Sequence, residues 1–184
     1  MSLDVKTEDG PPAGISCLEP IDKGGLDKLI ENGKADPNAI KTLKCKTVAE
    51  GRFRHLNYIR DLEPYIVDEP PGLLGDDTAP NPSEATLAAL GSCLAVGIHA
   101  NCVAGDITVR ELSIELEADI NITAVWGTGD TSPKPVGFDA VRITVNLDAE
   151  CSDETRDEII ERATKWSPVV NTFQKPVAVD VTTA

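Results

Sequence analysis

The segment Asn81–Ala104, NPSEATLAALGSCLAVGIHANCVA, constrains the fold of this chain more than any other. Asn81 suits an N-cap, and Pro82 falls where a first-turn residue has no use for its N–H. Glu84, three residues past Asn81, completes a capping-box pattern. Beyond it, Ala85, Leu87, Ala88, Ala89, Leu90, Gly91, Ala95, Val96 and Gly97 are small or apolar on nearly every side. A helix that is apolar all round must be covered all round. Gly105 supplies a stop. The segment therefore predicts a long buried helix at the centre of the fold. Cys93 sits in its middle, either as inert core or as a sheltered thiol.

The flanking segments supply the cover. Leu26–Asn32 predicts a short helix stopped by Gly33. Ile40–Ala49 alternates as a strand, Gly51 turns it, Arg52–Arg60 reads as its partner, and Tyr65–Asp68 as a third strand. Glu69–Pro82 is a Pro, Gly and Asp loop of the positioning kind. After the helix, Ile107–Ile122 alternates Val109, Leu112, Ile114, Leu116 and Ala118 against charged and polar residues, so it predicts a long half-buried strand. A loop over Gly127–Pro135 leads to a second long strand, Phe138–Leu147. Ser152 caps a helix over Asp153–Trp166, with Ile159, Ile160 and Ala163 as its apolar stripe. Ser167-Pro168 starts a further short turn, and Val177–Thr182 reads as a closing strand. The order β-β-β-α-β-β-α-β predicts an α+β fold, not a doubly wound parallel sheet.

Composition removes several classes of function. A net charge of −14 argues against nucleic acid and anionic membrane surfaces as partners, because both need clustered Lys and Arg. The central helix comes closest to a membrane span, but Ser83, Glu84, Ser92, His99 and Asn101 argue against one. Asp4, Glu8 and Asp9 give the N-terminus no signal-peptide character. Five cysteines at wide spacing, Cys17, Cys45, Cys93, Cys102 and Cys151, form neither a disulfide framework nor a zinc site. A reducing cytoplasm is the expected compartment. Asp76 and Asp77 read as a turn, and no metal or other cofactor is expected.

Two motifs together resemble the OsmC/Ohr superfamily. One is DEPPGLLGDDTAPNP followed by SEATLAALGSCLAVG. The other is SPVVNTF, at the end of a later helix and before a terminal strand. The resemblance covers roughly residues 40–184, with residues 1–39 as an N-terminal extension, partly disordered or a short helix. It implies an intertwined homodimer with two sites at the subunit interface. It also implies reduction of organic hydroperoxides and hydrogen peroxide by a dithiol pair that external thiols re-reduce. Cys93 matches the peroxidatic cysteine. Ser167 stands where the family places its resolving cysteine, and a hydroxyl cannot attack a sulfenic acid to form a disulfide.

Neither Cys102 nor Cys151 replaces it on sequence grounds. Cys102 lies half a helical revolution from Cys93 and roughly 13 Å along the axis. Cys151 lies about four helical turns from Ser167. The hydroperoxidase branch carries an acid ten residues before its cysteine; here that residue is Ser83, and Glu84 follows it. In a regular helix Glu84 and Cys93 face opposite ways, so Glu84 acts either as a cap or by orienting a third group. A thiolate three turns inside a helix needs a nearby cation. Arg52, Arg54 and Arg60 are the candidates, and alternation puts them on one face; Arg54 is the choice. His99, Trp126 and Trp166 read as packing residues.

Two readings follow. One is a one-cysteine peroxidase, using Cys93, Arg54, Glu84 and Ser167 with an organic hydroperoxide and an external thiol. The other is a non-peroxidatic protein that binds a small apolar or thiol-containing ligand.

Overall fold

The computed structural model describes residues 17–128 and 136–183. Residues 1–16 of the expected N-terminal extension and most of the expected 127–135 loop lie outside them. The elements are α1 Lys23–Ala35, β1 Lys46–Gly51, β2 Arg54–Tyr58, β3 Tyr65–Val67, α2 Pro82–Ala104, β4 Val109–Ile120, β5 Phe138–Ala149, α3 Asp153–Trp166 and α4 Pro168–Gln174. The fold is α+β. The described residues form two compact units, one of residues 30–92 and one of residues 17–29 with the described residues from 93 onward, and α2 belongs in part to each.

In the unit spanning residues 30–92, β1, β2 and β3 form an antiparallel sheet in that order. Val48 pairs with Leu56, and Leu56 with Ile66. The loop after β3 is folded onto Asp68 and Glu69. Asp68 N–H donates to the Pro80 carbonyl at 3.2 Å, and Asp77 N–H to the Glu69 carbonyl at 3.1 Å. A Cβ on Gly75 would lie 1.8 Å from the Glu69 carbonyl oxygen, so only glycine fits there.

In the other unit, β4 and β5 form a long antiparallel pair, with Val109 opposite Ala149 and Leu116 opposite Ile143. Leu112, Ile114, Leu116 and Ala118 are half-buried, as their alternation predicts. The opposite face carries Arg110 on Asp148 at 3.0 Å and Arg142 on Asp119 at 2.6 Å. Ile98, Cys102, Val109, Leu147, Ala149, Ile159 and Ala163 form the core. Ser152 caps α3 by accepting from Thr155 N–H, and the helix occupies the range its sequence predicts. α2 and α3 approach closely at Gly97, where an added Cβ would come within 3.2 Å of the Ala163 Cβ.

Three expectations are corrected. Gly33 lies inside α1 instead of ending it; a glycine costs a helix about 1 kcal/mol, which is not a stop. The closing strand does not form in the single chain. Among the described residues, 177–183 pair with no strand, and Val177, Val179 and Val181 are 61%, 79% and 91% exposed. Their alternation marks residues able to pair but supplies no neighbour. Trp166 is exposed rather than packed, and Trp126 is more than half exposed. By length and composition alone α2 would pass as a membrane span. Its Leu90, Leu94, Ile98 and Cys102 are nonetheless buried one turn apart, which is the pattern of a core helix.

Candidate functional site

Cys93 and Ser167 meet, although 74 residues separate them in the chain. Cys93 is half-buried on α2. Ser167 is only 4% exposed and lies at the junction of α3 and α4, as C-cap of one and N-cap of the other. Its Oγ accepts from Val170 N–H at 3.2 Å and donates to Cys93 Sγ at 3.2 Å. The cap bond fixes the oxygen, and the hydroxyl proton is then directed at sulfur. Pro168 occupies the first turn of α4, where no N–H is needed. Asn171 braces the turn, donating through Nδ2 to the Ser167 carbonyl at 2.8 Å and the Lys165 carbonyl at 3.1 Å. The SPVVN segment thus holds one hydroxyl against one thiol. Such a donor stabilises negative charge on sulfur, whether thiolate or sulfenate.

Glu84 does what the capping pattern predicts. Asn81 N–H donates to its Oε2 at 2.8 Å, and Glu84 N–H donates to Asn81 Oδ1 at 2.9 Å. Its charge is also felt by Glu69, whose carboxyl burial pushes up, with the Glu84 and Asp68 carboxylates adding to the push. Among the described residues, none hydrogen-bonds the buried Glu69 Oε2.

The three arginines do not share a strand face, contrary to the alternation argument. Arg52 and Arg60 lie outside β2 with left-handed backbones, φ 48° and 54°, and strand alternation holds only within a strand. Arg52 pairs with Asp76. Arg54 opens β2 and is held twice. Its Nε donates to Glu50 Oε2 at 2.6 Å, and its Nη1 to Thr78 Oγ1 at 2.5 Å. Thr78 Oγ1 passes its own proton to Asp68 Oδ2 at 2.7 Å. Asp68 is fully buried and also accepts from Glu69 N–H at 2.8 Å and Thr78 N–H at 3.1 Å. Those bonds, Thr78's hydroxyl first, hold its carboxyl down at about 2, against the opposing pull of burial. Sequence reasoning missed Asp68 and Thr78. Asp68 is the last residue of the predicted third strand and Thr78 one polar residue among several in the loop, and nothing in the pattern marks either as buried.

His99 is half-buried and lines a cavity of about 320 Å³ with Cys17, Lys23, Val103 and Asp106. A groove of about 470 Å³ lies in the 30–92 unit, lined by Cys45, His55, Ile59, Tyr65, Val67 and Ala85 among others. All five cysteines are free thiols.

The family model of OsmC-like proteins matches residues 75–182, more than half of the chain. The fold is similar to that of an OsmC-like protein from Mycoplasma pneumoniae, with 17% identity, TM-score 0.61, and coverage of 74% of this chain and 89% of that one. It is also similar to an organic hydroperoxide resistance protein OsmC from Legionella pneumophila, described as a predicted redox protein, with 16% identity, TM-score 0.53, and coverage of 74% and 92%. A third similar structure is an organic hydroperoxide resistance protein from Elizabethkingia anophelis with crystallant-derived thiocyanate bound, with 16% identity, TM-score 0.54, and coverage of 74% and 91%. No curated protein matches the sequence. Identities this low speak for the fold, while the family model speaks for descent, and it spans the end of the loop, Cys93 and the Ser167 turn. The chain belongs to the OsmC-like family.

Proposed function

We propose that this protein is a thiol-dependent hydroperoxide reductase that works with one cysteine per chain. The observation that carries the reading is the Ser167 hydroxyl donated to Cys93 Sγ at 3.2 Å. The Cys93 thiolate attacks the terminal oxygen of the hydroperoxide. The O–O bond breaks, the alcohol leaves with a proton, and Cys93 becomes a sulfenic acid. Ser167 stabilises the charged sulfur before the attack and the sulfenate after it. Because Ser167 cannot resolve the sulfenate, an external thiol attacks it and releases water. A second thiol then frees Cys93 as the small-molecule disulfide. The net reaction consumes one hydroperoxide and two thiols, and yields one alcohol, one water and one disulfide.

Arg54 is the cation assigned in this reading; its guanidinium is held by Glu50 and by Thr78 on Asp68. Glu84 contributes as a cap. A homodimer is part of the same proposal. α2 is apolar all round, yet Val96 is 70% exposed and Ala88, Ala89 and Ser92 are exposed with it. The groove in the 30–92 unit favours a second reading, in which a small apolar or thiol-containing ligand binds and Cys93 does no chemistry. The two readings separate on the reaction of reduced protein with cumene hydroperoxide, with Cys93→Ser as control. The peroxidase reading requires rapid oxidation confined to Cys93.

A further inference from the structure

Cys102 and Cys151 lie together in the core of the unit that carries Cys93. Cys102, on the last turn of α2, is fully buried among Ile98, Val109, Leu147, Ala149 and Ile159. Cys151 is half-buried and packs against the same cluster. The backbone draws them together. Ile107 N–H turns back to the Cys102 carbonyl at 2.9 Å, the next residue, Thr108, accepts from Glu150 N–H at 2.9 Å, and Cys151 follows Glu150. Burial pushes the Cys102 thiol up, and the neighbouring Cys151 adds to that push.

We infer that Cys102 and Cys151 are a redox pair, independent of Cys93, which a hydroperoxide closes to a disulfide. Cys151 is the half-exposed member and reacts first. Its thiolate attacks the peroxide, the O–O bond breaks, alcohol leaves, and a sulfenic acid remains. Cys102 then gives up its proton and attacks the Cys151 sulfur, expelling water as the S–S bond forms. The pair supplies two electrons and the hydroperoxide accepts them. Because burial opposes ionisation of Cys102, closure is slow near neutral pH and accelerates as pH rises. The bond would tie the end of α2 to the turn that starts α3, the helix whose far end carries Ser167. Sustained peroxide would then stiffen the frame around the Cys93 site.

The test uses the full chain with Cys93→Ser, so it does not depend on the proposed activity. The protein is exposed to excess cumene hydroperoxide, alkylated under denaturing conditions and mapped by mass spectrometry. The expected product is a peptide pair linked through Cys102 and Cys151, reversible by dithiothreitol and formed faster at higher pH. Closing a loop of this length should raise Tm by about 10 °C. Adding Cys151→Ser should abolish both the linked peptide and the rise, while the reduced protein melts as before. Both thiols still alkylatable after treatment would overturn the inference, as would Cys151 over-oxidised with Cys102 untouched, or either cysteine linked to another.

Discussion

In the proposed reaction Ser167 is the pivotal residue, because its hydroxyl is held by Val170 N–H and directed at Cys93 Sγ. Replacing it with cysteine would put a second sulfur where that oxygen stands. S167C should therefore close a disulfide to Cys93 on peroxide treatment, detectable as loss of both thiols and a linked peptide. A Cys93 that stays a sulfenate in S167C would contradict the contact. Ser167→Ala should slow Cys93 oxidation about tenfold, the worth of one hydrogen bond to a charged atom. Asp68 sets the acid limit of the loop. Its folded carboxyl titrates at about 2, below its ordinary 3.8, so it stabilises the native state fully above the unfolded value. That contribution fades as pH falls from about 4 towards 2. Asp68→Asn should lower Tm by several degrees at pH 7, with a gap to wild type that narrows across this window in thermal scans. A constant gap would show that charge is not the cause. The meeting of Cys93 with Ser167 was legible in sequence through paired motifs. Asp68 and Thr78 were not, because burial of a loop carboxylate depends on where the chain folds back.

At the scale of elements, the site depends on how closely α2 and α3 pack. Gly97 permits the approach, with Ala163 only 3.2 Å from the Cβ it lacks. Gly97→Val should cost about 1–3 kcal/mol by overpacking and slow Cys93 oxidation together with it. Gly97→Ala should be far milder, since one methyl needs a shift of tenths of an ångström and alanine favours the helix. Urea unfolding and thiol kinetics on both variants check this; equal effects from both would contradict it. Elements whose signals are local were read well. The Asn81–Glu84 capping box, the Ser152 cap and the alternation of β4 all appear as predicted. Val177–Thr182 was not, because a strand needs a neighbour, which alternation cannot name. Arg52 and Arg60 were misplaced for a related reason: the pattern gave the strand but not the turns at its ends.

For the whole molecule, the exposed apolar residues matter more than the net charge. Val96 on α2 and the valines of residues 177–181 are uncovered in one chain. A second copy is the proposed cover. Sedimentation should give about twice the chain mass, and Val96→Glu should return it towards the single chain; a wild-type monomer would contradict the dimer. The central claim is one-cysteine peroxide chemistry, and stopped-flow mixing of reduced protein with cumene hydroperoxide tests it most directly. The account predicts one equivalent consumed per chain, faster than by free cysteine, a sulfenate on Cys93 by mass spectrometry, and no fast phase in Cys93→Ser. A rate no greater than that of free cysteine, or an equal fast phase in Cys93→Ser, would contradict it and leave the ligand-binding reading.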